Sequence, residues 1–310
     1  MNYKIYRFVL FIAFLSLITI GCVKNTPKEI VVFLPSADNP FWIEVRRGVE
    51  DAATELGKDY KVTILSSGDL DAAAQVEQLS SVLSRGKVDA IAIAIANNRA
   101  PAPMIAKYNK AGIPVVMMDT KLEEDAAVTA GASYDVFIGS DNRLGGQKAA
   151  DEMTNQLKKL GYGNKVLLIK GDYIHQSAID RAEGFIEKGK SQLQIIEREG
   201  EWSRQRATEI TIAVLARETV DGIFTGNDDM ALGVIAALKS SGLPKEKLPV
   251  VIGFDATSAG MEAIKEGYMY ASMKQDPVRM GKAGVVFAKE LIIGTPSVEK
   301  ENMIPVSVAK

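Results

Sequence analysis

Several apolar, strand-like runs of this sequence are followed directly by a carboxylate or an amide. Asp119, Asn227, Asp255 and Gln275 each stand at the end of such a run, and Asn39 comes shortly after the first one. Carboxylates accept hydrogen bonds and amides both donate and accept them, so these side chains suit the hydroxyl groups of a polyol. Because ligands of open parallel sheets bind outside the carboxyl ends of the strands, we expect these residues to share one cleft.

Aromatic and cationic residues occur at comparable positions. The stretch "ADNPFWIEV" places Phe41 and Trp42 at the start of a predicted helix, and Arg181 and Trp202 stand at loop or helix-start positions in the second half. Flat aromatic side chains suit the apolar faces of a polyol ring. We therefore interpret Phe41 and Trp42 as one wall of a binding cleft.

Each of these residues also has a purely structural interpretation. Asn39 before Pro40 is a good helix N-cap with proline at the first helical position. Asp228 could cap the next helix, Asp255 could be a turn residue, and Trp202 could pack at an edge of the fold. The joint placement at strand ends in both halves, rather than any single residue, favours the binding interpretation.

Motifs for catalysis and metal binding are scarce. His175 is the only histidine, and the only cysteine precedes the predicted fold. No glycine-rich phosphate loop and no G-x-S-x-G elbow follows a strand, and one histidine cannot build a usual zinc site. We expect no cofactor, no metal and no catalytic residue, with His175 at the surface or the edge of a cleft. An acid–base pair of Asp119 and Asp255, as in a carbohydrate-active enzyme, is the alternative.

Alternating strand-like and helix-like segments position these residues from residue 30 onward. Short apolar runs typical of buried parallel strands alternate with helix-length segments, which indicates an α/β fold with parallel sheets. Predicted strands cover 30–35, 61–67, 88–96, 114–120, 136–142, 165–171, 193–199, 222–228, 249–255 and 268–275. Predicted helices include one closed by Gly57, one from near Arg143, and those at 177–190, 204–217, 229–241, 258–267 and 278–293.

The segment 121–135 breaks this alternation because it is acidic and then rich in alanine and glycine. We expect an irregular loop there, followed by a restart of the pattern near Ser140. The restart predicts two doubly wound domains of similar plan. A (β/α)8 barrel is the structural alternative, but the loop and the strand after it do not fit an eightfold count.

The composition is that of a globular protein with a targeting segment at its start. The 310 residues are 47% hydrophobic and 25% charged, with a net charge of −2, which gives no indication of a nucleic-acid partner. Lys4 and Arg7 precede the apolar run Phe8–Ile20. That run has the length of a signal-peptide h-region and is short for a membrane span.

The apolar run ends in "TIGC", which resembles the lipobox of a lipoprotein, with Thr19 where leucine is usual. We expect residues 1–21 to be a signal peptide of lipoprotein type, Cys22 to be lipidated, and residues 22–28 to be a tether. A plain secretory signal and an uncleaved anchor are the alternatives. A single cysteine also rules out an intramolecular disulfide.

Seven short motifs occur in the order, and near the spacing, of the ribose-type sugar-binding proteins of ABC transporters. They are "SADNPFW", "MMDT", "IGSDNRLGG", "SAIDRAEGF", "GNDDMALG", "VVIGFD" and "MKQDPVRMG". From residue 30 onward the chain resembles this periplasmic family, whose fold is shared with the sugar-binding cores of LacI-type repressors. The resemblance implies two Rossmann-like doubly wound lobes joined by three crossovers, the type I periplasmic binding protein fold.

The resemblance also implies where the lobes begin and end. Crossovers are expected near Ser140, Gln275 and Pro305, with a sugar bound in the cleft between the lobes. The implied lobes are 29–139 plus 276–304 for the first and 140–275 plus 305–310 for the second.

Carried over position by position, the resemblance implies nine ligand-binding residues. In this scheme Phe41 and Trp202 sandwich the sugar ring, and Asp119, Arg181 and Asp255 bind its hydroxyl groups. The nine residues are Asn39, Phe41, Trp42, Asp119, Arg181, Trp202, Asn227, Asp255 and Gln275.

The sequence departs from the ribose type at several of the matched positions. Thr120, followed by Lys121, stands where ribose binders carry an arginine, Trp42 and Trp202 replace phenylalanine, and Asp38 replaces asparagine. The absence of the arginine removes a cation that can bind a ligand through two hydrogen bonds, and the two tryptophans enlarge two walls of the site. Both changes argue against ribose as the ligand. The candidate ligands are a different pentose, a hexose, a polyol or a furanose-like signal molecule.

The function implied by the resemblance is binding rather than catalysis. A monomeric, exported lipoprotein would capture a monosaccharide or polyol and deliver it to the membrane subunits of an ABC permease. It would work in the periplasm or on the outer face of the membrane, anchored through Cys22. The alternatives are a sensor that reports to a chemoreceptor or sensor kinase, and an exported carbohydrate-active enzyme. The calcium loop of galactose-type proteins is absent, so we expect no metal.

Overall fold

A computed structural model describes residues 26–68, 71–295 and 299–310. Within this part the strands are β1 Lys28–Leu34, β2 Tyr60–Ser66, β3 Ala90–Ala94, β4 Val115–Met118, β5 Val136–Ser140, β6 Lys165–Lys170, β7 Gln194–Glu199, β8 Gly222–Thr225, β9 Val250–Asp255, β10 Ala271–Lys274, β11 Glu301–Ile304 and β12 Ser307–Ala309. The α-helices are α1 Pro40–Leu56, α2 Ala72–Ser84, α3 Ala102–Lys110, α4 Glu124–Ala130, α5 Asn142–Leu160, α6 Gln176–Gly189, α7 Arg204–Leu215, α8 Asp228–Ser240, α9 Ser258–Lys265 and α10 Pro277–Ile293.

The strands form two sheets of the same plan. One has the order β11-β5-β4-β3-β1-β2, and the other has the order β12-β10-β9-β8-β6-β7. Neighbouring strands are parallel throughout, except that β12 pairs antiparallel with β10. The prediction of two doubly wound α/β lobes is therefore confirmed, and the barrel alternative is wrong.

The chain passes between the two sheets at three places. It leaves the first sheet after β5, returns after β10 to form α10 and β11, and crosses again between β11 and β12. Helix α10 packs on α1 and on the first sheet, so it belongs to the first lobe. Below, lobe 1 denotes the first sheet with its helices, and lobe 2 denotes the second.

Each sheet is covered on both faces, because its central strands are apolar on both faces. Alternate residues of β1 enter two different clusters: Ile30 and Val32 pack under α1 and α10, whereas Val31 and Phe33 pack under α2 and α3. The second sheet divides its side chains in the same way between two further clusters. This two-sided burial explains the continuous apolar runs in the sequence.

The start of α1 has the expected local chemistry. The Asn39 side-chain oxygen accepts a hydrogen bond from the backbone N–H of Phe41 at 2.9 Å, and Pro40 is the first helical residue. Val45, Val49 and Ala52 form the buried face of the helix. The chain leaves the helix at Gly57, whose φ of 66° favours glycine.

The predicted loop at 121–135 contains a helix, so that prediction is wrong. Helix α4 begins after Glu123 and ends at Gly131, which adopts the left-handed conformation. Three of its alanines pack against the lobe 1 core. Arg99 pairs with Glu123 and Asp125 at 2.6 and 3.0 Å and holds the start of the helix. The acidic residues suit a helix N-terminus, and partly buried alanines rather than larger apolar residues face the core.

Cys22 and the whole predicted signal segment lie outside the described residues. In the described part of the chain, no helix is both long and apolar enough to cross a membrane. That part also lacks any group of three or more His, Cys, Asp or Glu side chains arranged to hold a metal ion.

Candidate ligand site between the lobes

A cavity lies between the two lobes, at the carboxyl ends of their strands. It encloses about 480 Å³, including space that is open to solvent. All nine residues assigned from the sequence line this cavity, together with four others. The lining residues are Pro35, Asn39, Phe41, Trp42, Ile95, Asp119, His175, Ser177, Arg181, Trp202, Asn227, Asp255 and Gln275.

Lobe 1 contributes the residues that follow β1 and β4. Phe41 and Trp42 lie in the first turn of α1, where their rings contact edge to face with centroids 4.9 Å apart. Phe41 is buried in the lobe 1 core, and Trp42 is partly exposed against it. Asp119 directly follows β4, and its carboxylate accepts a hydrogen bond from the Thr120 hydroxyl at 3.0 Å.

Lobe 2 contributes the residues at its own strand ends. Arg181 lies in the second turn of α6, and Trp202 lies in the turn after β7. Asn227 caps α8, and Asp255 is the last residue of β9. Gln275 follows β10, where the chain returns to lobe 1.

Asn39 and Asn227 act as helix caps as well as lining the cavity. The Asn227 side-chain oxygen accepts a hydrogen bond from Met230 N–H at 2.9 Å, as Asn39 does for α1. The cap uses the amide oxygen and leaves the amino group of each side chain available as a donor. The capping interpretation and the site interpretation are therefore compatible.

Arg181 is the centre of a buried polar network. Its Nε donates to Asn142 at 2.8 Å, and its Nη1 donates to the Gly226 carbonyl at 2.7 Å. The same nitrogen lies 3.5 Å from an Asp255 oxygen, in a pair whose side chains are 5% and 7% exposed. The guanidinium also stacks 3.9 Å from the centre of the Phe254 ring. These contacts fix its position before any ligand is considered.

Asp255 and Gln275 together offer hydrogen-bond acceptors to the cavity. Burial raises the pKa of the Asp255 carboxyl well above its ordinary value of 3.8, and the positive charge of Arg181 opposes that shift. One Asp255 oxygen accepts a hydrogen bond from Gln275 Nε2 at 2.6 Å. The Gln275 side-chain oxygen is buried and has no partner within the described residues. A ligand hydroxyl would satisfy it.

Asp228 lies behind the cavity and does not line it. Its carboxylate accepts hydrogen bonds from the Thr257 N–H at 2.7 Å, the Thr257 hydroxyl at 3.0 Å and the Ser272 hydroxyl at 2.6 Å. Burial raises the pKa of Asp228 to about 6, and these hydrogen bonds oppose the shift. Asp228 is the first residue of α8 and Asn227 is its cap, so the alternative interpretation of Asp228 as a cap does not hold.

Trp202 is seated on glycines that leave room for its indole. A Cβ atom at Gly171 would overlap the indole ring, and one at Gly226 would lie 3.3 Å from it. The Arg181 guanidinium carbon lies 5.5 Å from the ring centre on the same side of the site. Trp202 therefore forms a wall of the cavity, and the alternative of simple edge packing does not describe it.

Unfavourable backbone conformations cluster at the cavity. Among the described residues, positive φ angles outside glycine occur at Asp119, Glu201, Trp202, Asp255 and Ala256. Three of these five line the cavity, with φ angles of 65°, 59° and 108°. Such conformations cost about 1–3 kcal/mol each, and they persist where a side chain must be aimed at a site.

Four lining residues were missed by the sequence reasoning. Ser177 and His175 follow β6, so their position after a strand end is the signal that marks them. His175 was expected at the surface or the edge of a cleft; it lines the cleft and is only 5% exposed. Pro35 and Ile95 are apolar continuations of β1 and β3 and carry no distinct signal.

Lys121 does not supply the cation that is missing at Thr120. Its Nζ pairs with Glu301 at 2.6 Å and lies 4.5 Å from the centre of the Phe137 ring. Thr120 is itself buried and bonded to Asp119. Arg181 is therefore the only cation that lines the cavity among the described residues.

Two α/β lobes with a polar and aromatic cavity between them define a two-lobed solute-binding protein. The sequence pattern of the periplasmic binding protein domain matches residues 30–296. The ribose import binding protein of Haemophilus influenzae is 30% identical over 288 residues, which are 92% of this chain and 91% of that protein. The D-allose-binding periplasmic protein of Escherichia coli is 30% identical over 262 residues, covering 83% of this chain and 82% of that protein.

Solved structures show the same architecture. An ABC transporter solute binding protein from Agrobacterium vitis with bound D-fucose is 31% identical, with a TM-score of 0.81 over 91% of this chain and 95% of that chain. The chain belongs to the periplasmic binding protein family, whose members bind solutes rather than catalyse reactions. The resemblance drawn from the seven motifs is thereby confirmed.

Proposed function

We propose that this protein captures a monosaccharide or a related polyol in the cavity between its lobes and delivers it to an ABC permease. The observation that carries the proposal is the composition of the cavity. Carboxylates, amides and one guanidinium stand beside three aromatic rings, and both lobes contribute. This is the combination that a ring with apolar faces and a hydroxyl edge requires.

The charges of the lining favour a neutral ligand. The cavity is lined by two acidic residues, Asp119 and Asp255, and by one cation, Arg181. The Arg181 guanidinium is already hydrogen-bonded to protein groups. An anionic sugar, such as a sugar acid or sugar phosphate, would enter a cavity without a free positive charge. Burying such a charge without a partner costs several kcal/mol, so we expect anionic sugars to bind poorly.

The names of the relatives support a sugar and leave its identity open. They state ribose, D-allose and, for one solved structure, bound D-fucose. Thr120 at the position of the ribose binders' arginine, and the tryptophans at positions 42 and 202, argue for a ligand other than ribose. A hexose, another pentose or a polyol fits the proposal.

The proposed mechanism is closure of the two lobes on the ligand. The three crossovers let the lobes move relative to one another, and the ligand contacts both lobes only in the closed form. Binding therefore favours closure through that difference in contacts. The closed form is the one that we expect a permease to accept.

A thermal-shift screen over monosaccharides, polyols and sugar acids tests the proposed ligand class. A ligand at about 100 times its Kd stabilises the native state by about 2.7 kcal/mol, so a true ligand should raise Tm clearly. Trp202→Ala is the matched variant for this screen. It removes a wall of the cavity and should therefore abolish the rise in Tm that the ligand causes. A Tm that no neutral sugar or polyol raises would contradict the proposal.

Membrane anchoring and delivery need separate tests. We propose that Cys22 carries the lipid, and Cys22→Ser should move the protein from the membrane fraction to the soluble exported fraction. Deleting the protein should abolish uptake of the radiolabelled sugar if it serves a permease. Intact uptake with lost chemotaxis or lost gene induction would support the sensing alternative.

A further inference from the structure

His175 occupies a helix start without acting as a cap. It is the N-cap residue of α6, yet its side chain makes no capping hydrogen bond. Ser, Thr, Asp or Asn at this position would satisfy a free N–H of the helix and typically stabilise it by about 1 kcal/mol. The imidazole is instead buried beside the cavity, at 5% exposure. The hydrogen-bond partners of the imidazole indicate its role.

Both ring nitrogens of His175 have partners. Nδ1 lies 3.2 Å from Trp202 Nε1, and Nε2 lies 3.0 Å from the Ala96 carbonyl oxygen. An indole N–H only donates, so Nδ1 must accept, which leaves the proton on Nε2 to be donated to Ala96. The two contacts therefore require one neutral tautomer of the ring.

The second contact crosses from one lobe to the other. Ala96 follows β3 in lobe 1, whereas His175 and Trp202 belong to lobe 2. Within the described residues one other side-chain hydrogen bond joins the lobes, between Ser258 and Glu44 at 3.2 Å, and it is exposed. His175 is thus the buried hydrogen-bonded link between the lobes.

The lobe 1 acceptor is held rigidly. Gln75 is 1% exposed, and its side-chain oxygen accepts a hydrogen bond from Ala96 N–H at 2.9 Å. Its amino group donates to the Ala94 carbonyl, also at 2.9 Å. These two bonds fix the peptide at the end of β3, so the Ala96 carbonyl presents a preformed acceptor to the imidazole.

We propose that His175 is a positioning residue for ligand binding. It sets the orientation of the Trp202 wall through Nδ1, and it ties that wall to lobe 1 through Nε2 when the cleft closes. This inference rests on the proposed function, because it concerns the affinity for the captured sugar. Because this bond joins the two lobes, it favours the closed form, and its loss should mainly accelerate dissociation.

Three variants separate this role from general effects. His175→Leu removes both hydrogen bonds, and His175→Gln keeps an acceptor and a donor on one side chain. Ser258→Ala removes the other, exposed link between the lobes and serves as the matched control. Kd and the dissociation rate are measured with the sugar that gives the largest thermal shift. The fluorescence of Trp202 is read in a Trp42→Phe background, where it is the only tryptophan.

We expect His175→Leu to bind the sugar at least about tenfold more weakly, through faster dissociation, because it leaves the part-buried Trp202 N–H and the buried Ala96 carbonyl unpaired. His175→Gln should recover most of that loss, and Ser258→Ala should stay within about twofold of the parent, as exposed contacts contribute little. The Trp202 emission of the ligand-bound form should change in His175→Leu and not in Ser258→Ala. Circular dichroism and Tm establish that each variant is folded.

Two results would overturn the role of His175 while leaving the proposed function intact. One is a His175→Leu protein that binds as tightly as the parent. The other is an equal loss in the leucine and glutamine variants, which would assign the effect to distortion of the wall. A parent protein that binds none of the neutral sugars would instead contradict the proposed function, and this inference would fall with it.

Discussion

At the scale of single residues, burial and charge oppose each other at Asp255. Its side chain is 7% exposed and contacts Arg181 and Gln275. Burial favours the protonated acid, whereas the guanidinium favours the carboxylate. Within the described residues, Arg181 and Gln275 both contact Oδ1 of this carboxylate. A ligand hydroxyl would donate a further hydrogen bond to the carboxylate.

We predict that Asp255→Ala weakens sugar binding by at least about 2 kcal/mol, or about 30-fold in Kd. The variant removes an acceptor from the ligand and leaves the buried Arg181 without its carboxylate. Isothermal titration calorimetry with the best sugar measures the loss. Asp38→Ala removes an exposed carboxylate near the cleft that does not line the cavity, and its Kd should not change. Equal affinities in the two variants would contradict the assigned site.

The side chains that line the cavity were largely predictable because the rule behind them is topological. Parallel strands of one sheet bring their carboxyl ends to one edge, so the polar residues after β8, β9 and β10 had to meet. Asp119 after β4 lies at the corresponding edge of the other sheet. The role of His175 was not predicted, because it is neither a carboxylate nor an amide at a strand end. Its role depends on contacts with Trp202 and with the Ala96 carbonyl of the other lobe. Contacts between lobes do not appear in any local pattern.

At the scale of elements, most strands and helices of the sequence pattern agree with the structure, whereas α4, β11 and β12 were not predicted. Helix α4 has seven residues and an alanine face, so it lacks the apolar periodicity that marks a helix. Strands β11 and β12 have four and three residues, of which only Ile304 is buried. Their strand conformation comes from pairing with β5 and β10, which is a tertiary effect.

Helices α5 and α6 approach closely through reciprocal glycines. A Cβ atom at Gly146 would overlap the Arg181 carbonyl, and one at Gly184 would overlap the Arg143 carbonyl. We predict that Gly146→Ala destabilises the fold by about 1–3 kcal/mol, despite the better helix propensity of alanine. It should also weaken sugar binding, since α6 carries Arg181 into the cavity.

Denaturant unfolding and calorimetry measure the two effects of Gly146→Ala. Gly189→Ala on α6 is the matched control, because a Cβ atom there meets only side chains, the nearest at 3.1 Å. We expect the control to retain both stability and affinity within about 0.5 kcal/mol. If Gly146→Ala keeps the stability and the sugar affinity of the control, the close approach of α5 and α6 does not position Arg181 for binding.

Asp228 joins three elements, since it begins α8 and accepts hydrogen bonds from Ser272 of β10 and from Thr257, the cap of α9. Its pKa is raised from 3.8 to about 6 in the folded protein. A raised pKa means that the folded state binds the proton more tightly than the unfolded chain. This contribution to stability is fully present below pH 3.8 and is lost as the pH rises through about 6.

We therefore predict that Asp228→Asn, whose side chain is always neutral, gains stability relative to the parent as the pH rises from about 4 to about 7. The asparagine amide can still accept from Thr257 and can donate to the Ser272 oxygen. Thermal denaturation of both proteins across this pH range measures the difference in Tm. Asp141→Asn, at an exposed cap, controls for the change in net charge. A constant difference between Asp228→Asn and the parent would show that Asp228 does not titrate in this range.

At the scale of the whole molecule, the two lobes share the site almost equally. Four of the nine sequence-assigned residues come from lobe 1, four come from lobe 2, and Gln275 lies where the chain passes between them. Neither lobe alone offers both a carboxylate acceptor and walls on two sides of the cavity. The affinity for a ligand must therefore depend on how closely the lobes approach each other.

We predict that saturating sugar lowers the radius of gyration, as measured by small-angle X-ray scattering, because the ligand favours the closed form. Asp119→Ala removes a lobe 1 contact with the ligand, so the closed form should gain less and the decrease should be smaller even at saturation. Val128→Ala changes an exposed residue far from the cavity, at 75% exposure, and should give the same decrease as the parent. An unchanged radius of gyration in the parent protein, at a sugar concentration that calorimetry shows to be saturating, would mean that binding does not proceed through closure of the lobes.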